Sequence, residues 1–224
     1  MFISVIIPTL NEAARIAELI AATRQIGECE IIVVDGGSTD GTLDRASSSD
    51  IVLSSEPGRA RQQNAGAMAS HGDVLLFLHA DCQLPVGAFE AIRAAMQDER
   101  TVGGCFQQRI EADGLAYRWL ERGNAWRVHW FGMAYGDQGI FVRRCVFEEL
   151  GWFADVKLME DVLLMKRLRR AGRFVLLSER LSVSARRWQK HGIVRQTLRN
   201  WMLLTLAMCG VSPDRLARFY PNTR

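Results

Sequence analysis

Cysteine is scarce, with five in 224 residues, an odd number, and no two form a C-x-x-C pair. A disulfide scaffold and a zinc site are therefore excluded as organising principles, and reduced thiols in a cytosolic protein are expected. Long apolar runs are also missing. The longest, Val74–Leu78 and Met202–Cys209 (broken only by Thr205), fall far short of the ~18 residues that a membrane span needs. The first residues, MFISVIIPTLNEAARI, lack a basic leader region and a small-residue cleavage site, so no secretory peptide is expected. Neither G-x-G-x-x-G nor G-x-x-x-x-G-K-[ST] follows the first apolar run, which disfavours the common dinucleotide and P-loop sites. No repeat or low-complexity segment interrupts the chain.

What is present suits one folded unit. Apolar residues at 48% and charged residues at 24% are ordinary globular values, so disordered and fibrous classes drop out. The net charge of +3 hides an uneven spread. Residues 1–164 hold 14 basic and 23 acidic side chains, whereas residues 165–224 hold 14 basic and 2 acidic. Such a basic end implies an anionic counterpart: a phosphorylated substrate, an anionic membrane surface, or the acidic body itself.

Apolar runs without alternation, at Phe2–Ile7, Glu30–Val34, Ile51–Leu53 and Asp73–Leu78, read as strands buried on both faces. Pro8 is expected to stop the first, and Asn11 to cap a helix carrying Ala13, Ile16, Leu19 and Ile20. Ser38 or Thr39 is expected to cap the next helix, and Gly58 opens another that runs to Ala69. This rhythm implies a parallel sheet with right-handed crossovers. Further strands are expected at Gly103–Ile110, Gly139–Val142 and Phe174–Leu177, and helices at Leu115–Trp126, Asp161–Ala171 and His191–Cys209. Arg195, Arg199 and Asn200 fall on the polar side of the last.

In open α/β sheets, ligands bind at the carboxyl ends of the strands. Three such ends carry polar turns: Pro8-Thr9-Leu10-Asn11-Glu12, Asp35 to Thr42, and His79-Ala80-Asp81. Parallel strands would bring all three to one rim. Acids there can hold a metal, and small residues let a base or sugar approach.

The strings SVIIPTLNEA, EIIVVDGGSTDGT, LLFLHAD and a later MED before a helix resemble, in this order and spacing, the family 2 glycosyltransferases with the GT-A fold. The likeness runs from Ile3 to about Trp188. GRARQQNAGA, GDQGIF and SARRW are further similar to a small bacterial subgroup associated with arsenosugar biosynthesis. The resemblance implies a GT-A type α/β/α sandwich around a mainly parallel, mixed central sheet. It would occupy residues 1–188, with a C-terminal helical extension, 189–224, packed on it. It implies transfer of one sugar, with inversion and without processivity, from a nucleotide-sugar, expected to be a UDP-sugar, to an acceptor hydroxyl on a small molecule or a lipid-linked carrier.

The family's residue roles follow from the matched strings. Pro8, Thr9, Leu10, Asn11 and Glu12 would border the nucleotide base, and Asp35 with Gly36 would meet base or ribose. Arg59 would lie near the diphosphate at a helix start, with Gln63 and Asn64 lining the same pocket and Ala80 beside it. Asp81 matches the last acid of the D-x-D element that grips Mg²⁺ or Mn²⁺, hard cations that favour oxygen. His79 stands where the first aspartate is usual; imidazole suits Mn²⁺ better than Mg²⁺, and a packing role behind the metal ligands is the reading preferred to direct ligation. Glu160-Asp161 matches the family's E-D pair, whose second acid is the general base. Gly136, Asp137 and Gln138 would floor the acceptor side. Arg187 would meet the diphosphate, and Trp188 would stack on a sugar. Ser184 replaces the glutamine of the Q-x-x-R-W element found in processive members. Apart from the resemblance, the basic end and the apolar face of the last helix leave three occupants open: the body itself, a second copy of the chain, or the inner face of a membrane in peripheral contact; no nucleic-acid partner is expected. Two rival readings are a nucleotidyltransferase, whose usual glycine-rich, lysine-bearing first loop is absent, and a non-catalytic nucleotide-sugar-binding protein.

Overall fold

The computed structural model describes residues 1–208 and 210–217. Eight strands form one mixed sheet: β1 (Ile3–Thr9), β2 (Glu30–Asp35), β3 (Ile51–Ser54), β4 (Val74–Phe77), β5 (Cys82–Gln83), β6 (Thr101–Glu111), β7 (Ile140–Arg143) and β8 (Arg173–Ser184). Their order is β3-β2-β1-β4-β7-β6-β8-β5. The first four in that order are parallel, while β7 runs antiparallel to both β4 and β6. β8 is again parallel to β6, and β5 antiparallel to β8.

Alternate residues of each central strand feed opposite core layers, because successive side chains point to opposite faces. Ile3, Val5 and Ile7 join Ile31, Val33 and Leu76 on one face. Ile6 joins Ile32, Val34, Leu75 and Phe77 on the other. The first layer is closed by α1 (Ile16–Ile26) and α4 (Ala88–Ala95) through Ile16, Ile20, Phe89 and Ile92. The second is closed by α3 (Arg59–Ala69), α6 (Arg144–Glu149) and α7 (Glu160–Ala171) through Ala60, Phe147 and Leu168. Each such fully buried aliphatic or aromatic side chain contributes roughly 1.5–3 kcal/mol. Gly66 lets α3 lie close on the sheet, since a Cβ there would sit 2.5 Å from Ile6 Cγ2. A short α2 (Thr42–Arg45) follows β2.

The long helix α5 (Leu115–Phe131) packs on β6 and leads through a 3₁₀ turn, Gly136–Gln138, into β7. The expected His191–Cys209 helix is present as α9 (Ile193–Met208), and a separate short helix, α8 (Arg186–His191), precedes it, divided from it at Gly192, whose φ of 78° favours glycine. Cys209 lies outside the described residues. The last described helix is α10 (Pro213–Ala217), held by Asp214, whose carboxylate accepts the Lys157 N–H at 3.1 Å. Among the described residues no helix is long and apolar enough to cross a membrane.

Pro8 does not stop β1. Ile6 O faces β4, accepting from Leu78 N–H at 2.9 Å, so Pro8 faces the same side, beyond the end of β4 pairing, where no donor is needed. Asn11 does not cap α1, which starts at Ile16. Nor do Ser38 and Thr39 cap α2, which is preceded by Gly41. All three side chains or their backbone groups are used between loops, as the site geometry explains.

Candidate active site

The parallel strands bring the three polar turns to one rim, as the sequence implied. Thr9 and Asp35 are register partners, and Gly36 N–H donates to Thr9 O at 2.9 Å. The two loops are then laced together. Asn11, in the left-handed conformation at φ 54°, accepts Thr39 N–H on Oδ1 at 3.0 Å and donates its own N–H to Ser38 Oγ at 2.8 Å. Glu12 N–H donates to Thr42 Oγ1 at 2.9 Å, and Ala13 N–H to Asp40 at 3.1 Å. The Asp35 carboxylate accepts Gly37 N–H at 2.9 Å, Ser38 N–H at 2.8 Å and the Ser38 hydroxyl. Asp35 is nearly fully buried and shapes its own turn. Thr9 is buried too, its hydroxyl on Val34 O. Gln62, which the sequence did not single out, reaches from α3 to Thr9 O at 2.7 Å and Val34 O at 2.8 Å.

Next to this platform lies a cleft that is open to solvent. Arg59, His79, Gly136, Asp137, Asp161 and Arg187 line it. These residues come from five elements or turns spread over more than a hundred positions of sequence. Arg59 opens α3 and lies 3.7 Å from buried Glu160. Asp161, one residue on, has both carboxylate oxygens fixed: Oδ2 accepts Gly136 N–H and Oδ1 accepts Val162 N–H, each at 2.7 Å. Burial, and then the neighbouring Glu160 charge, push its pKa up to about 6, against the pull of the two N–H groups and Arg59. Gly136 is required by space. A Cβ there would sit 2.7 Å from His79 Nε2 and 3.6 Å from Asp161 Oδ2.

Asp81 sits at the same corner. Its backbone O accepts Ser184 N–H at 3.1 Å. The buried Cys82 thiol stands 3.9 Å from Asp81 Oδ1 and 3.8 Å from Asp137 O. Burial and then the Asp81 charge hold that thiol far above its ordinary value, so it stays protonated and is a poor nucleophile. Burial raises Asp137 as well. Arg187 and Arg127 oppose this, and Asp81 and Asp161 add to it. Asp137 Oδ1 is buried and accepts no hydrogen bond. Among the described residues no three His, Cys, Asp or Glu side chains form a ready metal cage. A hard cation shared with a diphosphate needs only one or two carboxylates, and that donor set is what Asp81 and the orphaned oxygen of Asp137 offer.

Several residues expected in the pocket face elsewhere. Asn64 is tied to Phe153, donating to its O at 2.9 Å and accepting its N–H at 3.0 Å, so it staples α3 to a distant loop. Gln138 is fully buried, with its Oε1 accepting Tyr135 N–H at 3.1 Å and Arg127 Nη2 at 2.7 Å; it supports the turn and faces no acceptor. Trp188 is buried in the first core layer, leaving no ring face for a sugar. Asp35 and Glu12 do not line the cleft itself; Glu12 is buried 3.7 Å from Arg186. Sequence reading missed Tyr135, whose ring stacks on the Arg127 guanidinium at 3.6 Å, and the cleft-facing positions of Asn200 and Leu203. Asn200 falls on the polar side of its helix, and only packing reveals that this side faces the cleft.

Residues 4–146 match the model of a family described as Glycosyl transferase family 2. A probable glycosyltransferase, YdaM, of Bacillus subtilis is 27% identical over 199 residues, covering 76% of this chain and 47% of that protein. A PGL/p-HBAD biosynthesis glycosyltransferase of Mycobacterium tuberculosis is 31% identical over 160 residues, covering 66% and 61%. The chain thus spans about half to three-fifths of the length of these curated relatives. Among solved structures, S. aureus TarS 1–349 in complex with UDP-GlcNAc superposes with a TM-score of 0.66 at 19% identity, covering 82% of this chain and 58% of that one. Glucosyl-3-phosphoglycerate synthase from Mycobacterium tuberculosis, in complex with Mn²⁺, UDP and glucosyl-3-phosphoglycerate, gives 0.65 at 22% identity, covering 94% and 81%. At these identities the likeness shows the fold, an α/β sandwich of GT-A type.

Proposed function

This chain belongs to glycosyl transferase family 2, and from that premise we propose that it moves a single sugar from a UDP-sugar to an acceptor hydroxyl, inverting the anomeric centre. The observation that carries the reading is the placement of Asp161. Its carboxylate is held by two backbone N–H groups in a cleft flanked by Arg59 and Arg187, and its pKa of about 6 leaves it ionised yet basic near neutral pH.

Asp161 takes the proton of the acceptor hydroxyl. The freed oxygen pair forms the new bond to the anomeric carbon as the bond to the diphosphate oxygen breaks and its electron pair leaves with UDP. The two remaining lone-pair sites of the carboxylate, beyond those used by Gly136 and Val162, are open to that proton. Arg59 and Arg187 supply charge for the diphosphate. Asp81, with Asp137, would hold the divalent cation, which when bound neutralises charge on the leaving group. The interlaced loops after β1 and β2 receive the nucleotide base and ribose. Their inner hydrogen bonds fix the shape in advance, so binding orders little. The complexes of the two structural neighbours with UDP-GlcNAc or with UDP and Mn²⁺ support this donor class. The strings around Arg59, Asp137 and Arg187 favour, within the family, the subgroup associated with arsenosugar biosynthesis. Residues 189–217 act as an extension whose α9 closes one side of the cleft through Asn200 and Leu203.

The test is a set of UDP-sugars with Mn²⁺, screened by thermal shift, followed by transfer assays with Asp161→Asn. Donor-induced stabilisation should persist in the variant while transfer is lost. Equal transfer by the variant, or a product of retained configuration, would reject the mechanism.

A further inference from the structure

The surface holds four tryptophans that a folded chain ordinarily hides. Trp119, Trp126, Trp130 and Trp201 are 68%, 67%, 63% and 69% exposed. Three of them stand at i, i+7 and i+11 on α5, so they share one helix face, extended by exposed Leu115. Trp201 belongs to a matching stripe on α9, with Val194, Leu198, Met202 and Leu206. Isolated exposed apolar residues need no account, but two stripes do.

The two helices lie alike on the body. Each meets the first core layer near its N-terminal end, through Tyr117 and Leu120 on α5 and Ile193 on α9. Each meets the second further on, through Val128 and Leu204. Asn200 and Leu203 of α9 line the cleft, as does Tyr135, four residues past the end of α5. Both stripes thus lie on helices whose inner sides bind the body, and α9 itself lines the cleft.

Charge selects the occupant. The one acid of α5, Glu121, is buried and paired with Arg118 at 2.9 Å, while Arg122 is exposed between the tryptophans. From residue 186 to 208 there are five basic side chains and no acid, with Lys190 and Arg195 exposed. Exposed Glu111 and Asp113 lie before α5, outside its stripe. A two-fold dimer through this face would set like charges against each other. Indole rings with basic neighbours suit a lipid headgroup boundary, where the ring is buried and its N–H stays wet. We infer that the α5 and α9 stripes dock the protein on an anionic bilayer surface. On the transfer reading above, this brings the cleft to lipid-borne acceptors.

Co-sedimentation with phosphatidylglycerol/phosphatidylcholine vesicles, at low and high salt, tests it. The protein should sediment with anionic vesicles at low salt, release at high salt, ignore phosphatidylcholine alone, and show blue-shifted tryptophan emission when bound. Lys190→Glu with Arg195→Glu should weaken binding about tenfold or more, since each basic side chain near such a surface matters at that scale. Trp126→Ser with Trp201→Ser should reduce the emission shift, leaving only the part due to Trp119 and Trp130, while circular dichroism stays unchanged. No sedimentation at low salt, binding that ignores lipid charge, or a lipid-free dimer that alone shifts the emission would overturn the proposal. None of these readouts involves sugar transfer, so their failure leaves the transfer reading standing.

Discussion

The rim after β1 and β2 and the corner around Asp161 are neighbours built by opposite means. The first is made of two loops whose Asn11, Asp35, Ser38, Asp40 and Thr42 satisfy one another's backbone, so polar side chains are spent on shape. The second crowds Asp81, Asp137 and Asp161 among Arg59, Arg127 and Arg187 and leaves Asp137 Oδ1 without a hydrogen bond. Satisfied polar networks give rigidity, whereas crowded and partly satisfied acids have raised pKa values and store reactivity. The pair suggests a division of labour: one region recognises, and the other reacts.

The contrast can be broken most sharply at Asp161. Replacing it by Asn should cost about 10²–10⁴-fold in transfer, the usual share of a general base, while UDP affinity measured by calorimetry stays near that of the parent. Gly136→Ala comes next. Its Cβ would press on His79 and displace the Asp161 contact, and a misplacement of that size costs roughly 10²-fold in kcat. On the recognition side, Ala substitution of Asn11 should instead raise the KM for the UDP-sugar with kcat little changed.

The pH profile sharpens the same point. With Asp161 titrating at about 6, kcat/KM should rise to a plateau above that value and fall about tenfold per unit below it. Stability has the opposite sense. The folded value lies above the unfolded value of about 3.9, so the folded state binds the extra proton. The contribution of Asp161 is therefore most favourable below pH ~4 and is lost as pH rises through 6. Asp161→Asn, which cannot titrate there, should remove this fall in melting temperature between pH 4 and 7.5, whatever the lost N–H contact costs at both pH values. The smallest effect belongs to Asn64→Ala, which should lower stability by about 1–3 kcal/mol through the freed Phe153 groups and leave donor affinity unchanged.

Some of this was legible in the chain. Continuous apolar runs ending in Asp35-Gly36-Gly37 and His79-Ala80-Asp81 place parallel strands and their ligand-binding rim, because burial on both faces removes alternation and turn residues mark the strand ends. The Glu160-Asp161 pair announces itself at a helix start. Capping was misread for a physical reason. Asn11, Ser38 and Thr39 have the side chains that cap helices, but each group bonds whichever partner the fold brings nearest, and that partner lay in the other loop. Asn64, Gln138 and Trp188 likewise carry chemistry suited to ligands, yet their surroundings commit them to the frame.

What residue order alone determined is the α/β layering and the identity of the acids, since periodicity and turn chemistry act over a few residues. Tertiary packing decided which acids meet, which side chains are consumed as scaffold, and that two tryptophan stripes remain uncovered. Proximity between residues a hundred positions apart is set by how strands and helices close a common core, and no local pattern encodes it.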